Sequence, residues 1–278
     1  MEVERKFKAA QITIRPQSEL ERIISQGKAL IDFLQQQRAG VLTDLISGAL
    51  SCYRLFSTIQ NLDPATPKHR RKLYELSRKN LMFWTTGQSS ARDTEWEISA
   101  WNTLSRCKLS PSFSEPPDIW IHLDGQIFAV ACKNIYSLSN VDKQVKDGVA
   151  QIKKSNFPGL LFLSLDSPLQ LKFAPSLRLP EGKLETLNNS IEQDLLSFRD
   201  TKQQKWHKDY LEEIKTGKLA GILISGTISN LSDQFQPVLL QKVLLWAPGS
   251  QPGDARIKMK SLLSIIQHTF TQSPLNFQ

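Results

Sequence analysis

Residues 115–134 read Glu115-Pro116-Pro117-Asp118-Ile119-Trp120-Ile121-His122-Leu123-Asp124-Gly125-Gln126-Ile127-Phe128-Ala129-Val130-Ala131-Cys132-Lys133-Asn134. The Asp124-Gly125 pair between alternating apolar residues is a strong signal for a two-residue hairpin turn, whose central positions need positive φ. Strands are expected over 118–123 and 126–134. With Asp124 and Gly125 as the turn, Leu123 lies opposite Gln126, and the same register carries Asp118 opposite residue 131. Side chains alternate along a strand, so positions 131 and 133 share a face. Asp118 joins that face from across the ladder, about 5 Å away. An acid at 118, a second at 131 and a lysine at 133 would make a carboxylate cradle for a hard cation, with an ammonium beside it. Position 131 holds alanine in this chain.

The flanks of the hairpin read as helices. Before it, a helix is expected over 92–107, with Ala100, Trp101, Leu104 and Cys107 on its apolar face. Glu97 falls near the middle of that face and Glu95 nearly opposite, in solvent. A carboxylate aimed into a core is costly unless it is paired or metal-bound. Behind the hairpin, Val141, Val145, Val149 and Ile152 mark one face of a helix over 141–154. Asn156-Phe157-Pro158-Gly159 then turns into a buried strand over 160–165. The order helix, hairpin, helix, strand is that of an α/β core.

Further out, residues 18–83 show helical periodicity, through Leu20, Ile23, Ile24, Leu30 and again through Leu45, Ile46, Leu50, Tyr53. Asp63-Pro64 and Thr66-Pro67 interrupt it. The small polar stretch 85–90 reads as a linker. The expected organisation is a helical N-terminal domain over 1–87 and an α/β domain over 88–278. Pro168, Pro175 and Pro180 mark a loop, followed by a polar helix over 185–215. Strands over 219–225 and 238–246 and a last helix over 255–270 complete the sheet domain.

The motif Pro116-Pro117-Asp118, then Ala131-Cys132-Lys133, resembles the PD-(D/E)xK superfamily of nucleases, over roughly residues 94–165. The resemblance implies a restriction-endonuclease-like mixed sheet flanked by helices. It also implies Mg2+ or Mn2+ held by Asp118, Glu97 and the backbone carbonyl of Cys132, with Lys133 orienting the attacking water. A helix glutamate ahead of the Asp strand often joins the metal site in this family, and Glu97 matches that place. A glutamine on the helix after the lysine strand often faces the cleft, and Gln151 matches it, though an ordinary polar helix position serves it equally well. Ala131 stands where the family has its second acid. Three explanations fit: an acid replaced deliberately to disable cutting, an acid supplied from elsewhere, or a fold that binds without cleaving.

Composition bounds the function. The formal net charge is +8 over 278 residues, and the excess is local. Lys68, His69, Arg70, Arg71 and Lys72 form a run, with Arg78 and Lys79 behind it. Lys153 and Lys154 close one helix, and Lys202, Lys205 and Lys208 recur later. Such faces suit phosphate backbones. Arg70, Arg71, Lys153 and Lys154 are therefore expected nucleic-acid contacts, with a plain solvated face as the alternative; the resemblance adds Gln151 to them and DNA as the partner. Three widely spaced cysteines, with no CxxC pair, support neither a zinc knuckle nor a disulfide framework. No apolar run reaches a membrane span of about 20 residues. With the reducing compartment that the cysteines suggest, the expected place is the cytoplasm. The four histidines show no ligand spacing. Asp124 reads as a turn residue, Glu115 as an exposed loop residue and His122 as a strand histidine near the cleft. No phosphate loop or ATPase motif occurs, so an ATPase or helicase subunit is an expected partner by analogy with modular nucleases. The two functions kept open are a metal-dependent DNA nuclease in restriction, defence or repair, and a non-catalytic nucleic-acid-binding or assembly subunit.

Overall fold

A computed structural model describes residues 1–35, 43–78, 81, 87–173, 183–231, 237–247, 261–266 and 275–276. Lys79, the first part of the expected linker, Pro175, Pro180 and both flanks of the expected last helix lie outside the described residues. Contacts divide the chain into two units, and the division is more than one cut near residue 87. The first unit comprises Met1–Ser99, Gln170–Leu184 and Ile228–Leu239; the second comprises Ala100–Leu169, Glu185–Thr227 and Leu240–Gln278.

The first unit is largely helical. It contains α1 (Glu2–Ala9), α2 (Glu19–Gln35), α3 (Thr43–Ile59), α4 (Pro67–Leu76) and the start of α5 (Ser90–Arg106). Spacings of three and four residues put Leu20, Ile23 and Ile24 of α2 in the core, with Ile46, Leu50 and Ile59 of α3. Pro67 opens α4 in its first turn, where its missing N–H costs nothing. The first helix was not expected from sequence: in a charged run it offers only Val3 and Phe7 to the core, too few for a periodic signal.

The second unit carries most of a mixed sheet. Its strands are β1 (Ser110–Phe113), β2 (Ile119–Leu123), β3 (Gln126–Asn134), β4 (Gly159–Ser164), β5 (Leu219–Leu231), β6 (Pro237–Trp246) and the two-residue β7 (Leu275–Asn276), lying side by side in that order. The pairs β1/β2, β2/β3 and β6/β7 are antiparallel; β3/β4 and β4/β5 are parallel. Helix α6 (Val141–Lys154) makes the crossover between β3 and β4. The protein is therefore α/β with a mixed sheet.

The remaining helices are α7 (Asp166–Phe173), α8 (Lys183–Asp209) and α9 (Leu211–Lys215). Two of these depart from expectation. Pro168 lies in the first turn of α7 and so does not prevent a helix where a loop was expected. The polar helix expected over 185–215 is broken at Tyr210, which separates α8 from α9. Strand β1, which contains Pro111, was not expected from the sequence. It is the sheet's edge, the position in which a strand tolerates proline. Of the expected last helix, residues 261–266 are described and are helical.

Candidate functional site

The hairpin has the register read from its turn. Leu123 pairs with Gln126, Trp120 with Ala129 and Ile119 with Val130. Asp124 and Gly125 both have positive φ, 49° and 73°, as a primed turn requires. Just before β2, the loop is closed by the Ser114 N–H donating to the Asp118 carbonyl at 2.9 Å.

Asp118 stands one residue before β2, where β3 continues beyond its partner and a backbone N–H would be left without a ladder acceptor. The carboxylate fills that place: the Cys132 N–H donates to Asp118 Oδ2 at 2.6 Å. Its other oxygen, Oδ1, accepts from Gln151 Nε2 at 2.8 Å. Gln151 Oε1 in turn accepts from Lys133 Nζ at 2.7 Å. Asp118, Lys133 and Gln151 thus form one connected cluster on the side of the sheet covered by α6. The helix sits low there because Gly148 has no side chain. A Cβ at that position would lie 2.4 Å from Leu161 Cδ1 and 3.3 Å from Lys133 Cγ. Ala131, fully buried, pairs with Leu161 across β3 and β4 on this same face.

The helix ahead of the hairpin corrects one expectation, that of Glu95. Glu95, placed in solvent by the helical wheel, is buried in the first unit. Arg54 Nε donates to its Oε1 at 2.8 Å, and Thr58 Oγ1 lies 3.4 Å from the same oxygen. Glu97, expected as a metal ligand, is half-buried, and its carboxylate is held by Lys72 Nζ of the same unit. The wheel failed because it assumed one apolar face. Ala91, Arg92, Thr94, Trp96 and Ile98 are buried as well as Ala100 and Leu104, so α5 has little solvent side.

The donor set tests the fit of a divalent cation. At the hairpin the cluster offers one carboxylate, both of whose oxygens already accept N–H bonds, and an ammonium. Ala131 contributes no oxygen. Among the described residues no three His, Cys, Asp or Glu side chains group as a cation would need. A hard cation wants about six oxygens, and of these the side chains at the hairpin supply only the two of Asp118.

The expected nucleic-acid contacts are distributed over both units. In the first, Arg70 is exposed and Arg71 Nε is 2.9 Å from Glu75 Oε1. In the second, Lys153 Nζ is 2.7 Å from Glu213 Oε1, and Lys154 is exposed. Lys143 and Lys146 add exposed ammonium groups to α6. Lys202 and Lys205 of α8 both engage Asp142, and the Lys205 hydrogen bond holds that carboxyl below its usual range. His122 is exposed at the far end of β2. Sequence reading missed one aromatic pair, Trp120 with Phe157, and treated Phe157 only as part of a turn. Its signal was an aromatic residue within an Asn-x-Pro-Gly turn, where a polar residue is the norm.

Among the described residues no helix is long and apolar enough to cross a membrane. No family model matches the chain. No curated protein and no solved structure matches it either.

Proposed function

We propose that this chain is a nucleic-acid-binding protein on a PD-(D/E)xK-like, restriction-endonuclease-like core, without a complete cation cradle of its own. One observation carries the reading. Each oxygen of the carboxylate at the family's Asp position accepts one N–H, from Cys132 and from Gln151 Nε2, and alanine stands at the position of the second acid, so Asp118 is the one acid the hairpin supplies. The lysine and glutamine of the motif are retained and joined to that carboxylate, which supports the nuclease-type ancestry of the site. The lysines on the outer side of α6 supply the attraction for phosphate.

A second reading, a metal-dependent DNA nuclease, is favoured by that same convergence of Asp118, Lys133 and Gln151. It requires a further acid from a partner or from the substrate's own phosphates.

One set of assays separates the two. The intact chain is titrated against labelled DNA and RNA over a salt series, then incubated with each at saturating Mg2+ or Mn2+. The expected result is binding whose log affinity falls linearly with log salt, at about 0.9 per phosphate contact for duplex DNA, and no cleavage. Cleavage that disappears in Asp118→Ala and Lys133→Ala would replace the first reading with the second. Absence of binding at low salt would overturn both in favour of an assembly role.

A further inference from the structure

We propose that the second unit binds single-stranded nucleic acid, stacking an unpaired base on Phe157 and Trp120 while Lys154 meets a neighbouring phosphate. This rests on the nucleic-acid reading above and adds the strandedness of the ligand and its place on the surface.

Phe157 is held outward by the backbone. Asn156 takes φ 61° as it ends α6, and the Phe157 N–H donates to Ser155 Oγ at 3.2 Å. Phe157 remains 37% exposed, one of few large apolar residues so placed among the described residues. It meets Trp120 edge-on, with centroids 5.2 Å apart and planes at 83°. An edge-to-face pair fixes both rings yet does not cover them as a stack would. Trp120 is half-buried and shares a face of β2 with Asp118, two residues or about 7 Å away along the strand. The aromatic pair therefore adjoins the Asp118 cluster along one strand.

The charges around it suit a phosphate chain. Lys154 is exposed, engages no other side chain among the described residues, and stands three positions beyond Gln151, on the same side of α6. Lys153 is shared with Glu213. Lys218, whose carbonyl accepts the Gly159 N–H at 2.8 Å, brings another lysine to the same turn. Aromatic platforms beside lysines bind unpaired bases with little regard to sequence, because every base has a π face. In a duplex those faces are already stacked, which is why the arrangement selects a single strand.

The test titrates the intact chain with labelled oligothymidine and with a duplex, at fixed low salt. Phe157→Ala is expected to weaken oligothymidine binding by roughly five- to a hundred-fold and to leave duplex binding nearly unchanged. Phe157→Leu should lose as much, having bulk but no π face, and Phe157→Trp should retain affinity. Lys154→Ala should lower the salt slope for the single strand by about 0.7. If nucleic acid binds but Phe157→Ala has no effect, or Leu serves as well as Phe, the stacking inference is overturned and the broader function stands. If neither nucleic acid binds, both fall. An apolar peptide that competes for Phe157 while oligothymidine does not would reassign the surface to protein.

Discussion

Asp118 and Lys133 are joined through one amide: Gln151 donates to the carboxylate at 2.8 Å and accepts from the ammonium at 2.7 Å. A primary amide can do both at once because it carries a donor and an acceptor on one carbon. Gln151→Leu keeps the helix and much of the volume but removes one bond from the Lys133 ammonium and one from the carboxylate of Asp118, a residue only 8% exposed. The expected cost is about 1–3 kcal/mol, measured by urea unfolding. A loss within error of zero would show that the bridge contributes nothing in solution.

Ala131→Glu places a second carboxylate opposite Asp118 at a fully buried position under α6. An unpaired buried charge is costly, so the variant should melt below the parent in chelator and recover on addition of Mg2+. If it also acquires Mg2+-dependent cleavage of plasmid DNA, then Lys133→Ala should abolish that gain. A variant whose melting ignores Mg2+ would mean that no oxygen cradle forms between positions 118 and 131.

In the first unit, Arg54 and Glu95 are both nearly inaccessible, with side chains 6% and 2% exposed. Arg54→Met removes the guanidinium paired with a buried carboxylate, and a loss of about 3–5 kcal/mol is expected. Adding Glu95→Leu should restore most of it, because the remaining charge goes too. A double variant no better than the single would locate the cost in lost packing rather than in charge.

His69 gives a pH dependence whose sign is fixed by its bond. Its Nδ1 accepts the Asp63 N–H at 3.0 Å, which requires the neutral ring, and burial lowers its pKa from the usual 6.5. A folded pKa below the unfolded one means stability that is complete above about pH 6.5 and is lost as pH falls through the folded value. The melting temperature should therefore drop more between about pH 7 and about pH 5 in the parent than in His69→Phe. At lower pH the same direction is expected from Asp142 and Glu213, whose carboxyls Lys205 and Lys153 hold below the ordinary range. Parallel melting curves for parent and variant above about pH 5 would remove His69 from the account.

The hairpin was legible because its turn is local. Asp124-Gly125 admits one conformation easily, and that conformation fixes every pairing from Leu123–Gln126 to Ile119–Val130. Helix α6 was legible because one face only is apolar, and its bounds, Val141–Lys154, agree with the sequence. What failed depended on partners distant in the chain. The burial of Glu95 is decided by Arg54, 41 positions earlier, which no periodicity within α5 could reveal. The bond of Lys72 to Glu97, 25 positions apart, is equally out of reach of that periodicity. The bonding of Asp118 was half visible: register brought it to β3, but not the fact that β2 begins one residue after it and leaves the Cys132 N–H to be satisfied.

The cluster at Asp118 is drawn from one short piece of chain, since its two farthest members, Asp118 and Gln151, are 33 positions apart. Closing a loop of that length costs little more entropy than closing one half as long. Its parts are a hairpin and the helix that directly follows, both of which form fast on the time scale of folding. The cluster can therefore assemble during synthesis before β5 and β6 have been made. In pulse-labelling hydrogen exchange, the Cys132 amide should gain protection together with the amides of β2 and ahead of those of β5. On this account the site is a seed from which the sheet grows, and substitutions at Asp118 should slow refolding as well as alter binding.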